Sequence, residues 1–124
     1  MTLSGLCLRV SAHYKDLPAF AMFREGKIGS LVSYRLLGLR VRQIGLLLGQ
    51  LGVGAGDRVL LLSENRPQWP LAYFGIALAG AVSVPALTGF SAEQIGRISG
   101  HAGVKALCVS RSLASKIEKP DPAA

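Results

Sequence analysis

The chain has 124 residues, 50% of them hydrophobic and 17% charged, which suits one domain with a modest core and is too apolar for a disordered segment. Fourteen Lys and Arg against seven Asp and Glu give a formal net charge of +7, which raises nucleic acid or an anionic membrane as partners. No aromatic residues are interleaved with the cations as stacking platforms and no nucleic-acid motif is present, so nucleic acid is set aside.

Within Met1 to Met22, Arg9, His13, Lys15 and Asp16 interrupt the apolar core that a secretory signal needs. A cytoplasmic chain is expected. Cys7 and Cys108 are too far apart for a C-x-x-C pair and have no partner His cluster, so no zinc or redox motif is indicated. They read as reduced thiols, Cys108 buried in a strand.

Ala19 to Phe23 and Ile28 to Val32 flank the polar link Arg24-Glu25-Gly26-Lys27, which predicts a β-hairpin. From Ser33 onward, Tyr34, Leu37, Val41, Ile44, Leu48 and Leu51 recur at steps of three and four, the period of a helix that buries one face. Ser33 is its N-cap, Gly52 its left-handed stop, and Arg35, Arg40, Arg42 and Gln43 its solvated side.

Gly52 to Asp57 forms a turn that feeds Arg58 to Ser63, an apolar run of the kind buried on both faces of a parallel sheet. The glycines invite a dinucleotide-binding reading. That fingerprint needs a glycine where Asp57 stands, and it must follow a strand and open a helix, whereas this cluster does the reverse.

Trp69 to Leu87 is uncharged over nearly the length of a membrane span. Pro70, Gly75, Gly80, Ser83 and Pro85 divide it, and a buried helix over 67–79 with a short strand over 81–85 is predicted instead. Trp69 is expected in the core. Ser91-Ala92-Glu93-Gln94 has the spacing of a capping box and opens a helix with Ile95, Ile98 and Ala102 on its apolar stripe. Lys105 to Ser110 reads as another short buried strand, Ser112 to Ile117 as the start of one more helix, and Glu118 to Ala124 as a frayed tail.

The alternation of strands and helices predicts an α/β fold: a thin, mostly parallel sheet flanked by helices, preceded by the hairpin, with open sheet edges.

Five pieces then carry a resemblance: Ser33-Tyr34-Arg35-Leu36-Leu37, Leu51 through Val59, Glu64-Asn65-Arg66-Pro67-Gln68-Trp69, Ala79 through Pro85, and Ser91-Ala92-Glu93-Gln94-Ile95. In this order and spacing they resemble the first part of AMP-binding, acyl-adenylate-forming enzymes of the fatty acyl-CoA synthetase type. Tyr14 to Ala19 is similar to the family's lead-in. The resemblance covers about Ala12 through Ser110, and Leu87-Thr88-Gly89-Phe90 departs from it where the family has an Asn/Asp-Pro turn. It implies a truncated N-terminal subdomain of the adenylate-forming fold over residues 1–117 and a flexible tail over 118–124.

The resemblance also implies the chemistry of an ATP-dependent acid–thiol ligase, which turns a fatty acid into an acyl-adenylate and then an acyl-CoA with ATP, magnesium and coenzyme A. The residues that do this in the family are a Ser/Thr/Gly-rich phosphate loop, an acidic residue on the ribose and a Lys on a mobile domain. None is present in these 124 residues, so no catalytic, cofactor-binding or metal residue is assigned. The implied partner is the rest of the synthetase domain.

Among residues with chemistry of their own, His13 and His101 lack a nearby carboxylate or second His and read as surface histidines. Asp16, Glu25, Asp57, Glu64 and Glu93 form no recognisable acid–base pair. Two other functions stay open: a non-catalytic interaction module that pairs through a sheet edge, and a peripheral membrane segment built on Trp69 to Leu87 and the basic residues.

Overall fold

The computed structural model describes residues 2–117, so the predicted tail lies outside the described residues. The first element, helix α1 (Leu3–Tyr14), was not expected from the sequence. Its buried positions are Ser4, Cys7 and Ser11, a stripe of small side chains at helical spacing, while the larger Leu3 and Leu6 are about half exposed, so burial does not follow the large apolar residues that a sequence reading tracks. Thr2 caps it by accepting from the Gly5 amide at 3.0 Å. The Ser11 hydroxyl bonds back to the Cys7 carbonyl at 2.7 Å, which satisfies that buried group within the helix.

The predicted hairpin follows as β1 (Pro18–Arg24) and β2 (Lys27–Ser33), antiparallel and closed by Glu25 and Gly26 at φ +52° and +75°. Two positive φ values are what a tight turn between right-twisted strands requires. Helix α2 (Tyr34–Gln50) starts where expected: Ser33 accepts from the Leu36 amide at 3.1 Å, and Gly52 stops the chain at φ +85°. Leu37, Val41 and Leu48 are buried, but Leu51 is 64% exposed, since it sits past the last turn, where the helical stripe no longer points at the core.

Strands β3 (Arg58–Leu62), β4 (Val82–Pro85) and β5 (Ala106–Val109) form one parallel sheet in the order β4-β3-β5. Only β3 is fully buried on both faces, from Val59 to Leu62. Val59 and Leu61 join Leu48, Val53 and Ile76 beneath α2 and α3 (Gln68–Leu78), while Leu60 and Leu62 join Ala86 and Ile95 beneath α4 (Ala92–Ala102). Burial of each of these β3 side chains contributes roughly 1.5–3 kcal/mol.

The flanking strands correct the expectation of buried runs. Val82 is 51% exposed, Leu107 41%, and Cys108 is half-buried, because each strand has a neighbour on one side only.

A third cluster, Cys7, Val32, Leu37, Val41 and Leu71, joins α1, the hairpin, α2 and α3. Helices α2 and α3 cross closely because Gly75 has no side chain: a Cβ there would lie 2.4 Å from Ile44 Cγ2. The capping box at Ser91 and Gln94 is complete, and α4 ends at Gly103 with φ +63°. The segment expected to start another helix is a 3₁₀ turn, Arg111–Lys116. No helix of the described residues is long and apolar enough to cross a membrane. Trp69 to Leu87 instead supplies α3 and β4: Ala72, Tyr73, Ile76, Ala79 and Ala81 pack in the cluster on β3.

Candidate functional site: a cleft at the carboxyl ends of the strands

In an open parallel sheet, ligands enter at the carboxyl ends of the strands, where the strand order reverses. Here that point is β3, which has β4 on one side and β5 on the other. A cleft of about 560 Å³ opens beside it, between the β3–α3 connection and the segment after β5. Leu61, Ala72 and Cys108 line it with apolar surface, and Ser63, Arg66, Gln68, Ser110 and Arg111 add polar groups. Two guanidinium groups and no carboxylate line it.

The polar framework converges on Glu64. Its carboxylate accepts hydrogen bonds from the Ser110 hydroxyl at 3.0 Å and from Ser112, and its Oε2 is 3.9 Å from Arg66 NH1. Hydrogen bonding by the Ser112 hydroxyl, then by the residue's own backbone and by Ser110, holds the Glu64 carboxyl below its ordinary value against the opposing effect of desolvation. Oε2 is buried without a hydrogen bond of its own. Arg66 is oriented by Gln68, its Nε donating to Oε1 at 2.8 Å. Lys116 donates to the carbonyls of Thr88 and Phe90, the latter at 2.9 Å, tying the 3₁₀ turn to the loop that departs from the family pattern.

Sequence order hid this cluster, since Glu64 and Ser110 stand 46 positions apart. The detectable signal was positional: both follow adjacent parallel strands, whose carboxyl ends meet by topology.

The arrangement can hold a polar or anionic group but lacks the parts of a nucleophilic site. All three hydroxyls are engaged, Ser110 and Ser112 donating to the Glu64 carboxylate and Ser63 to the Glu64 backbone carbonyl at 3.1 Å, and neither histidine is near: His13 packs edge-on to Tyr14, and His101 lies in the last turn of α4. Burial pushes the Cys108 thiol up, so it is a poor nucleophile at neutral pH. Among the described residues no three His, Cys, Asp or Glu side chains gather as metal ligands.

The other singled-out groups fall elsewhere. Asp16 pairs with Arg35 at 2.9 Å, Glu93 with Arg97 at 2.7 Å, and Asp57 with Lys105 at 3.3 Å. Arg40 bonds to Gln43 at 2.9 Å on the solvated face of α2. Trp69 is half-buried and stacks on Tyr73 with ring centroids 5.3 Å apart. The glycine-rich turn before β3 sits at the amino ends of the strands, opposite the cleft, closed by Gly54 N–H donating to Asp57 Oδ2 at 2.7 Å. It is a structural turn, as its sequence indicated.

Comparison with known proteins places this geometry in context. The family model described as AMP-binding enzyme matches residues 8–124. A long-chain-fatty-acid–CoA ligase of Escherichia coli O6:H1 is 32% identical over 109 residues, covering 87% of this chain and 18% of that protein. 4-Coumarate–CoA ligase 2 of Oryza sativa subsp. japonica is 27% identical over 119 residues, 96% of this chain and 20% of its own length. Among solved structures, the inhibitor-bound N-terminal domain of FACL13 from Mycobacterium tuberculosis superposes with a TM-score of 0.81 at 27% identity, covering 98% of this chain and 31% of that one. The chain therefore spans about a fifth of the length of the curated relatives it matches.

Proposed function

This chain belongs to the AMP-binding enzyme family, and on that premise we propose that it is an N-terminal portion of an ATP-dependent acid–thiol ligase of the fatty acyl-CoA type, serving as scaffold and not as the reacting part. The carrying observation is that residues 8–124 match the family, while the 109 residues aligned with the E. coli ligase amount to 18% of that protein. Residues 1–117 are then part of one AMP-binding domain, and the remainder of that domain is the chain's partner.

Two features support the scaffold reading. No Ser/Thr/Gly-rich run ending in Pro-Lys-Gly is present in the sequence. The cleft offers cations and hydroxyls but no activated nucleophile, and its donors do not fit a nucleotide with its magnesium ion, because the carboxylate at hand, Glu64, is already engaged by Ser110 and Ser112. ATP, magnesium and coenzyme A are accordingly assigned to the complete ligase. The substrate is a carboxylic acid, with a long-chain acid favoured by the E. coli relative. Two free thiols suit a reducing cytoplasm.

The open edges of the sheet, with Val82 and Leu107 exposed on β4 and β5, favour association with further strands. They fit the missing part of the domain, and they equally fit a module that pairs with another chain.

The test is ATP–pyrophosphate exchange with a long-chain fatty acid. The chain alone is expected to give no exchange above the blank. Exchange by the purified chain would refute the scaffold reading.

A further inference from the structure

Helices α1 and α2 contain no Asp or Glu over Leu3–Tyr14 and Tyr34–Gln50, yet they carry Arg9, Arg35, Arg40 and Arg42, with Lys15 directly after α1. Between them runs a groove of about 270 Å³ lined by Ser11, Ala12, Lys15, Arg35, Gly38 and Arg42. It exists because Gly38 faces Ser11 without a side chain: a Cβ at 38 would lie 3.0 Å from Ser11 Cβ. Three cations border it, and no carboxylate lines it. Asp16, at the end of α1, is paired with Arg35, which leaves Lys15 and Arg42 without an ion-pair partner among the described residues.

Arg35, Leu39, Arg42 and Leu46 follow one another at steps of four, three and four, so they share one stripe of α2 along the groove. Leu39 is 49% exposed and Leu46 70%. Leucines interleaved with cations, on a helix that has no acidic residue of its own and whose Arg35 alone is paired with a carboxylate, Asp16, are the pattern of a helix that lies on an anionic lipid surface: the unpaired cationic groups meet phosphate while the apolar side chains enter the headgroup boundary.

We propose that the α1–α2 groove is a docking surface for an anionic phospholipid membrane, with a lipid phosphate held by Lys15 and Arg42 and with Leu39 and Leu46 inserted beside it. Charge complementarity selects this occupant, and the exposed leucines give it an advantage over a soluble anion. The surface differs from the apolar segment Trp69 to Leu87, which packs into the core through Leu71, Ile76 and Ala86.

The experiment is sedimentation of the chain with vesicles of phosphatidylcholine, with and without phosphatidylglycerol, at low salt. Binding is expected only to vesicles containing phosphatidylglycerol. The double variant Lys15→Glu/Arg42→Glu, both exposed positions, is expected to weaken partition by on the order of tenfold or more, since each reversal removes attraction and adds repulsion. Leu46→Ser, which leaves every charge in place, is expected to weaken it about threefold or more. Lys27→Glu, at the hairpin tip, is the control for net charge, and unchanged far-UV dichroism checks that each variant is folded.

Three results would overturn the proposal. One is a control as weak as the groove variant, which assigns binding to net charge. Another is a Leu46→Ser variant that binds like the wild type. The third is displacement by inorganic phosphate but not by sodium chloride of equal ionic strength, which assigns the groove to a free anion.

Discussion

Replacing Gly75 by alanine tests how α2 and α3 are held together, because two physical effects give opposite signs. Helix propensity alone favours the substitution by roughly 0.8–1 kcal/mol in a helix interior. The new Cβ, however, would lie 2.4 Å from Ile44 Cγ2 and 2.6 Å from Ile44 Cβ, where carbon atoms at rest stay about 3.5–4.0 Å apart. A rotamer change cannot relieve the second contact, since Cβ is fixed to the backbone. The helices must therefore separate, which opens space around Val41, Leu48 and Ile76, all at the α2–α3 contact.

Overpacking of this kind costs roughly 1–3 kcal/mol. With the backbone of both helices forced to move, the upper end applies, and after the propensity gain the net loss is about 2 kcal/mol. For a domain of this size that lowers the melting temperature by roughly 8 °C. Thermal and urea unfolding followed by circular dichroism read the change. Ile44→Gly removes both contacting atoms, so the double variant should be less destabilised than the sum of the singles by about 1–2 kcal/mol. A Gly75→Ala protein that melts at or above the wild type, or singles that add within about 0.5 kcal/mol, would refute the close crossing.

Three further outcomes follow from local structure. Asp57 is held below its ordinary value, first by the Gly54 amide and then by Lys105, so its contribution to stability is complete above pH 3.8 and is lost as pH falls through the depressed folded value. Melting curves across that acid range should show a smaller pH dependence for Asp57→Asn than for the wild type, and identical slopes would count against the interaction. Ser91→Ala removes the half of the α4 capping box in which the Ser91 hydroxyl accepts from the Gln94 amide, while the other half, the Ser91 backbone N–H donating to Gln94, needs no Ser91 side chain. The substitution is expected to destabilise the chain by about 1 kcal/mol in urea unfolding, whereas Ala92→Ser, just inside the helix, should change little. Cys7 is buried and burial raises its thiol, as it does at Cys108. A thiol reagent at neutral pH should modify Cys108 slowly and Cys7 more slowly still, and rapid labelling of both would mean that α1 does not pack as described.

The hairpin, α2, β3, α3 and α4 were legible because each carries its own signal: a polar glycine link, a large apolar stripe, an unbroken apolar run, an uncharged stretch broken at Gly80, and a capping box. Helix α1 was not, because Ser4, Cys7 and Ser11 do the burying, and a stripe of small residues looks like polar loop. The exposure of β4 and β5 was not legible either. Val-Ser-Val-Pro and Ala-Leu-Cys-Val read as core, and nothing within four residues says whether a strand has one neighbour or two. The cleft required topology as well, since Glu64 meets Ser110 and Ser112 only once β3 and β5 lie side by side.

The position of β3 has a bearing on how the chain assembles during synthesis. It is the first of the three parallel strands in the sequence and the middle one in space. Domains form in the order in which they emerge from the ribosome, at about 5–20 residues per second. With α2 and α3 adjacent to it in the sequence, β3 acquires one covered face from its nearest neighbours. Strands β4 and β5 then dock on opposite sides of a template already in place, and the sheet widens outward with every addition. A nascent chain built in this way does not have to open a formed ladder to admit a later strand.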